Sequence, residues 1–434
     1  MTLDAVLKKQ LADEVASQLD GLQGLYRYLH ANPELSGQEL RTAERLAEAM
    51  RRLGLMVHTG LGGHGVAGVL DNGPGPVVLL RADMDALPLV ENTGLPFAST
   101  ATARDEYGRR VGVMHACGHD VHMTCLIGAA AVLTRLKGQV SGKVIFVAQP
   151  DEEVHGGARL MVEAGLYEKT GRPDFCVALH VRSELAAGCV GLAPGVRSTA
   201  AHALDITIRG RGGHGAAPHQ TVDPIVLTAQ FVLALQTIVS RQVDPSKMGL
   251  ITVGAIHGGA KRNIIPETVE LNLTLRAYED EVIDQLRTAI ERTANGLAQA
   301  AGLEPDRWPV IRTAETPYPR VYNDPALTER LRVVFADLLG GEHVLTTPAG
   351  TGSEDFGYFG LTDPPIPTVM FHLGATDPDR LARSRHGDPR IAPEHDPGFQ
   401  PHPETCLPTG VTTMAAAALG LLAPALNPKN QNRA

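Results

Sequence analysis

The chain is short of several things. None of its 434 residues falls in an uninterrupted apolar run of the roughly 18 residues that a membrane-spanning helix needs. There is no long run of Lys or Arg. Acids outnumber bases 48 to 39, for a formal net charge of −9, which argues against a nucleic-acid surface. Cysteine is sparse: Cys117, Cys125, Cys176, Cys189 and Cys406 are odd in number and sit in apolar or motif contexts. That is the pattern of a reduced cytoplasmic protein and not of a disulfide framework. The opening stretch 1–23 mixes Lys8 and Lys9 with Asp4, Asp13, Glu14 and Asp20, so it reads as one amphipathic surface helix and not as a signal or transit peptide. No internal repeat is evident, and the polar stretch 426–434 reads as a frayed tail.

What is present is an ordinary globular composition, 43% hydrophobic and 20% charged, in a chain long enough for more than one domain. The first part alternates strand and helix patterns: Val77–Asp83, a helix over Met123–Leu136, Lys143–Gln149, a helix over Gly157–Ala164, and Phe175–Val181 ending at His180. This alternation predicts an α/β sheet with helices on its faces, and the polar residues just past the strand ends are where such sheets build sites. From about Val196 the order becomes β-α-β-β-α-β, the split βαβ pattern of a ferredoxin-like domain. It is expected as an insertion over 196–314, with 1–195 and 315–434 forming one discontinuous catalytic domain. A helix over Asp324–Leu339 returns the chain to that domain.

The densest chemistry lies in His115-Ala116-Cys117-Gly118-His119-Asp120, which crowds two imidazoles, a thiol and a carboxylate into six residues. A thiolate and an imidazole two residues apart can close on one Zn²⁺-like ion. Glu152 and Glu153 follow the strand Lys143–Gln149 and point in different directions, so that one can bind a metal while the other stays free as a general base. His180 stands in register with them beyond an apolar strand. Asp83 and Asp85 are candidates for direct ligands or for carboxylates that orient a ligating His. Arg209–Gly215 is glycine-rich and basic, but it lacks the spacing of a nucleotide fingerprint. Asn263 and Arg276 offer an amide and a guanidinium that suit a carboxylate. Among the late histidines, His372, His386, His395 and His402, the residues alone do not choose a ligand.

Taken in order, YRYLHANPEL (26–35), RADMDALPL (81–89), HACGHDVHM (115–123), QPDEEVHGGARLMVEAG (149–165), GRGGHGAAPH (210–219), RNIIPE (262–267), GSEDFGYF (352–359) and HDPGF (395–399) resemble the aminoacylase-type amidohydrolases. That is the family of hippurate hydrolase and the auxin-amino-acid hydrolases, related to dinuclear metal exopeptidases. The resemblance implies a zinc-exopeptidase-like catalytic domain with a central mixed sheet and an inserted ferredoxin-like α+β dimerisation (lid) domain. It implies five ligands, Cys117, His119, Glu153, His180 and His395, for two divalent ions drawn from Zn, Mn, Co or Ni. Glu152 takes the place of the general base, removing a proton from water and returning one to the leaving amine, with Asp85 as its supporting carboxylate. Asp83 stands where related peptidases have a ligating His, and Cys117 with His119 compensates. His214 resembles a residue that reaches a partner subunit's site, and Asn263 and Arg276 resemble groups that hold the substrate carboxylate.

The implied activity is metal-dependent hydrolysis of an N-acyl amino acid or similar small amide by a cytoplasmic homodimer. The alternatives are a dipeptidase or carboxypeptidase on the same scaffold, or a catalytically silent metal-binding relative. His155 and His64 depart from the family pattern, and His155 is expected near the acyl pocket.

Overall fold

The computed structural model describes residues 3–154, 156–314, 316–384 and 390–424. His155, His386 and the tail 426–434 therefore lie outside the described residues. The chain divides into two compact units: Met1–Arg197 with Tyr322–Ala349 and Asp355–Ala434, and Ser198–Val321 with Gly350–Glu354.

The first unit begins with α1 (Ala5–Ala16), α2 (Leu19–Ala31) and α3 (Leu40–Arg52). The single N-terminal surface helix expected from the sequence is thus two helices. Ser17 Oγ and Gln18 Nε2 both donate to the Glu14 carbonyl, and such local bonds compete with helix continuation. Leu11, Val15, Leu22, Tyr26 and Leu29 turn their sides inward to the core.

Strands β1 (Met56–Leu61), β2 (Gly65–Asn72) and β3 (Val77–Asp83), helix α4 (His119–Arg135), β4 (Val140–Gln149), α5 (Gly157–Glu163) and β5 (Phe175–Ala186) follow. The second unit supplies β6 (Ala200–Arg209), α6 (Pro224–Arg241), β7 (Gly249–Gly258), β8 (Thr268–Ala277), α7 (Asp280–Ala300) and β9 (Val310–Thr313). The first unit then resumes with α8 (Pro325–Leu339), β10 (Thr368–Thr376) and α9 (Pro403–Leu421).

The large sheet is mixed, in the order β1-β2-β4-β3-β5-β10, with the short pieces Val190–Gly191 and Val344–Leu345 beyond β10. Its centre, β4-β3-β5-β10, is parallel. Every residue of β10 is buried, as a strand covered on both faces requires. α4 and α9 are buried nearly all round and pack on each other, which marks them as interior helices.

The histidine expected to end its strand does not. β5 runs on to Ala186, but it pairs with β3 only as far as Ala178, and beyond that it has β10 alone. His180 therefore stands past the carboxyl end of β3 while still inside its own strand.

The second unit is a four-stranded antiparallel sheet in the order β7-β8-β6-β9, the ferredoxin-like arrangement, with α6 and α7 packed on it. β8 alternates exposed and buried residues, so one face of this sheet is covered. By length and composition α6 is the one helix among the described residues that could cross a membrane. Its Leu227, Phe231, Leu235 and Ile238, however, form a helical stripe buried in this unit's core.

Candidate metal centre

Three parallel strands deliver the site. β3 ends in Asp83 and leads to Asp85, β4 leads to Asp151-Glu152-Glu153, and β5 carries His180. The turn His115–Gly118 opens α4, and its last residue must be glycine. Gly118 has φ 76°, and a Cβ there would lie 2.5 Å from Val181 Cγ2. That close approach brings His119, the first residue of α4, up to the strand bearing His180. Gly157 has a similar role after β4, since a Cβ would meet the Pro150 carbonyl at 1.8 Å.

Five of the sequence-predicted residues converge. The Cys117 Sγ lies 3.4 Å from His180 Nε2 and 3.3 Å from His395 Nε2. Glu153 Oε1 lies 3.2 Å from His395 Nε2 and 4.0 Å from His119 Nε2. The sets Cys117–His119–His180, Cys117–Glu153–His395 and His119–Glu152–Glu153 each keep their donor atoms within 4.8 Å of one another. Cys117, His119 and Glu153 each belong to two of these sets, so the sets overlap in one continuous cluster.

The outer nitrogens fix the tautomers. His180 Nδ1 donates to the Val181 carbonyl at 2.8 Å, and His119 Nδ1 donates to the Asp85 carbonyl at 2.8 Å with Asp85 Oδ1 3.3 Å away. Each Nε2 is thereby turned inward, the arrangement of metal-ligating histidines. Among the described residues, His119 Nε2 and Glu153 Oε1 are buried and make no hydrogen bond of acceptable geometry. An N/O/S donor set with orphaned buried atoms fits a divalent ion.

The electrostatics agree. Burial pushes the Cys117 thiol well up, and Glu153, Glu152 and Asp83 add to the effect. Burial alone would lower His119, yet Asp83, Asp85 and Glu153 raise it to about 10. A pocket that holds a proton this firmly has a strongly negative potential, which a cation would relieve.

Beneath these converging side chains lies a network that the sequence did not disclose. Asp83, 3.7 Å from His119 Nε2, is already engaged on both oxygens: its Oδ2 accepts from Arg81 at 2.6 Å and its Oδ1 from His122 Nδ1 at 2.6 Å. Arg81, fully buried, also donates to Gln149 and Asp355. Burial lowers His122 to about 4, so it is the neutral donor to an ionised Asp83. His122 follows His119 by three residues on α4, a spacing that puts both on one helix face and is the one signal that could have found it. Asp85 Oδ2 accepts the Ser36 hydroxyl at 2.7 Å and the Glu153 N–H at 2.9 Å. Asp120 pairs with His30 at 2.7 Å, and His30 also meets Glu91 at 3.0 Å.

The remaining candidates are elsewhere. His372 is buried beside Arg197, whose guanidinium donates to its Nδ1 at 3.0 Å. His402 lies near Asp377 and Glu404, and His64 is half-buried in the turn between β1 and β2. In the second unit His214 is exposed and pairs with Ile264 in a short ribbon, and Gly215 donates to the Asn263 carbonyl at 2.9 Å. Arg276, on β8, donates to the Thr351 carbonyl and to Ser353 Oγ.

Comparison with known proteins places this arrangement. The profile of peptidase family M20/M25/M40 matches residues 79–419. Thermostable carboxypeptidase 1 of Saccharolobus solfataricus is 32% identical over 421 residues, 96% of this chain and 98% of that protein. The N-acetyl-L-cysteine deacetylase of Bacillus subtilis is 35% identical over 339 residues, 78% of this chain and 77% of the relative. A solved structure of a dinuclear metal-binding peptidase of the M20 family from Bacillus subtilis superposes with a TM-score of 0.74 at 25% identity, covering 94% of this chain and 99% of the other.

Proposed function

This chain belongs to peptidase family M20/M25/M40, hydrolases of amide bonds, and from that premise we propose that it cleaves N-acyl amino acids or similar small amides to a carboxylate and an amino acid. The observation that carries the reading is the position of Glu152. It is a carboxylate outside the proposed ligand set, yet its oxygen lies within 4.8 Å of the donor atoms of His119 and Glu153.

Cys117, His119, Glu153, His180 and His395 would hold two divalent ions, and the mixed set accepts Zn, Mn, Co or Ni. When bound, such ions polarise an amide carbonyl and lower the pKa of water toward neutrality. Glu152 would take the proton of the attacking water and give one to the departing amine, so its carboxyl ends the cycle as it began. Asp85 keeps His119 in the tautomer that ligation needs and holds the Glu153 backbone in place. Arg276 and Asn263 would receive the substrate's free carboxylate.

The assembly proposed is a homodimer through the second unit, spanning about residues 196–314, with His214 serving its partner's site. Two exposed features support this. β7 is an edge strand with Ile256 outward, and α6 presents Leu233 at 72% exposure with Ile225 and Val226. Five cysteines without a disulfide support a reduced, cytoplasmic setting.

The kinship with a carboxypeptidase keeps one rival in view, a peptidase acting on the same scaffold. The test is metal reconstitution followed by a panel of N-acetyl and N-benzoyl amino acids set against dipeptides and longer peptides. Turnover of the acylated amino acids is expected. Cleavage of peptides alone would favour the rival, and no turnover of either would sink the assignment.

A further inference from the structure

Among the described residues only two positions other than glycine have a left-handed backbone, Asp151 at φ 58° and His395 at φ 66°. Both lie on the loops of the candidate centre. Such conformations persist only where the surroundings over-determine them, and they cluster at functional sites. What holds Asp151 comes from far away in the chain.

The Asp151 N–H donates to Glu39 Oε1 at 2.8 Å, and the same oxygen accepts the Gly37 N–H at 2.9 Å. Two residues on, the Glu153 N–H donates to Asp85 Oδ2, which Ser36 Oγ also holds. Glu152 thus sits between two backbone pins, and the short segment Ser36–Glu39 stands behind both. That segment is itself secured: Glu34 gives its carbonyl to the Ala86 N–H at 2.8 Å, and its carboxylate accepts the Thr42 N–H and hydroxyl. Glu39 has no exposed surface and belongs to none of the ligand sets.

We infer that Glu39 is a positioning residue, whose carboxyl oxygen fixes the backbone of Asp151 and so aims Glu152 and Glu153. This rests on the reading of Glu152 as base and Glu153 as ligand. The function needed of Glu39 is that of an acceptor, not of a charge. Burial, with Asp85 nearby, pushes Glu39 up to about 8, so an uncharged amide is the conservative replacement.

The experiment compares Glu39→Gln, Glu39→Asp and Glu39→Ala in the full chain after metal loading. The readouts are metal affinity by chelator competition, and kcat and KM on the acyl amino acid that the wild type turns over best. Glu39→Gln keeps the acceptor oxygen and should stay within about threefold of wild type in all three. Glu39→Ala should lose about 10–100-fold in kcat or metal affinity, the usual effect of removing a group that orients a ligand, with KM little changed. Where the alanine variant does not yield folded protein, Glu39→Asp decides: it withdraws the oxygen by one methylene, keeps the acid and should show the same kind of loss. Wild-type kcat and metal affinity in the Ala or Asp variant would overturn the inference, as would a Gln variant as damaged as the others. The chelator measurement needs no substrate, so a wild type that binds metal but cleaves no amide refutes the functional reading while the metal affinities still decide this one.

Discussion

His122 gives its Nδ1–H to Asp83 Oδ1 at 2.6 Å and receives the Val181 N–H on Nε2 at 2.9 Å, so neither ring nitrogen is left for a ligand. The two residues lie within reach of His119, and Asp83, His119 and His122 together have the composition of a metal site. The bonding pattern makes this pair a support. Replacing His122 with Ala would leave two buried polar groups unmet, at about 1–3 kcal/mol each. Chemical denaturation should show that loss, while metal content of the folded protein stays at the wild-type value. A missing equivalent of metal would make His122 a ligand.

Cys117 tests the opposite case. Its sulfur is the atom that approaches both His180 and His395. Cys117→Ser replaces an ionisable soft donor with a hydroxyl, and mass spectrometry should find less than the wild-type metal per chain. Unchanged stoichiometry would remove the thiol from the ligand set.

Glu152→Gln keeps the shape of the side chain and removes the base. A drop of about 10²–10⁴ in kcat is expected, with metal content and unfolding midpoint near wild type. Undiminished hydrolysis would end the general-base assignment.

The triad of Glu91, His30 and Asp120 carries a pH signature. Burial opposes the charge on His30, but its bonds to Asp120 and Glu91 raise it from 6.5 to about 10. A raised basic pKa means the stabilisation is complete below about pH 6.5 and is lost as pH rises through about 10. His30→Ala strands two buried carboxylates, at about 3–5 kcal/mol near neutrality. The gap in unfolding free energy between wild type and this variant should narrow between pH 7 and 10.5, and a gap that stays constant would contradict a charged His30.

The proposed dimer is open to a surface test. Leu233→Glu and Ile256→Glu place charges on the exposed apolar residues of α6 and β7 without touching the core of that unit. Light scattering should report a monomer for the double variant and a dimer for wild type, and activity should fall with the dimer if His214 serves a partner. A wild-type chain that is a fully active monomer would contradict the role of His214.

Much of this architecture was legible in the residues because it is local. The strand-then-acid pattern at Val77–Asp83, the apolar run before Glu152 and the crowding at Cys117–His119 each declare themselves within ten residues. Choosing His395 over His372 or His402 needed the resemblance of HDPGF, since no local period marks a lone ligand in a loop. His30, Asp120 and Glu91 are 61 and 90 residues apart in their pairings, and such contacts leave no periodic trace. Glu39 was hidden for the same reason, because its work is done on a backbone N–H 112 residues away. The extra length of β5 was missed because a strand that loses one neighbour and keeps another looks finished when only its apolar run is counted.

The sulfur of Cys117 meets a histidine 278 residues further along the chain. During synthesis the amino-terminal part emerges first, and 278 further residues must follow Cys117 before the last proposed donor arrives. Until then the proposed donor set is one imidazole short. If Cys117 and His395 are both ligands as proposed, closing the centre would be a late event in folding, and an ion that bound only the finished fold would draw the population toward it by mass action. The full chain with His395→Ala should fail to close it, seen as less metal per chain by mass spectrometry, even with every earlier motif intact.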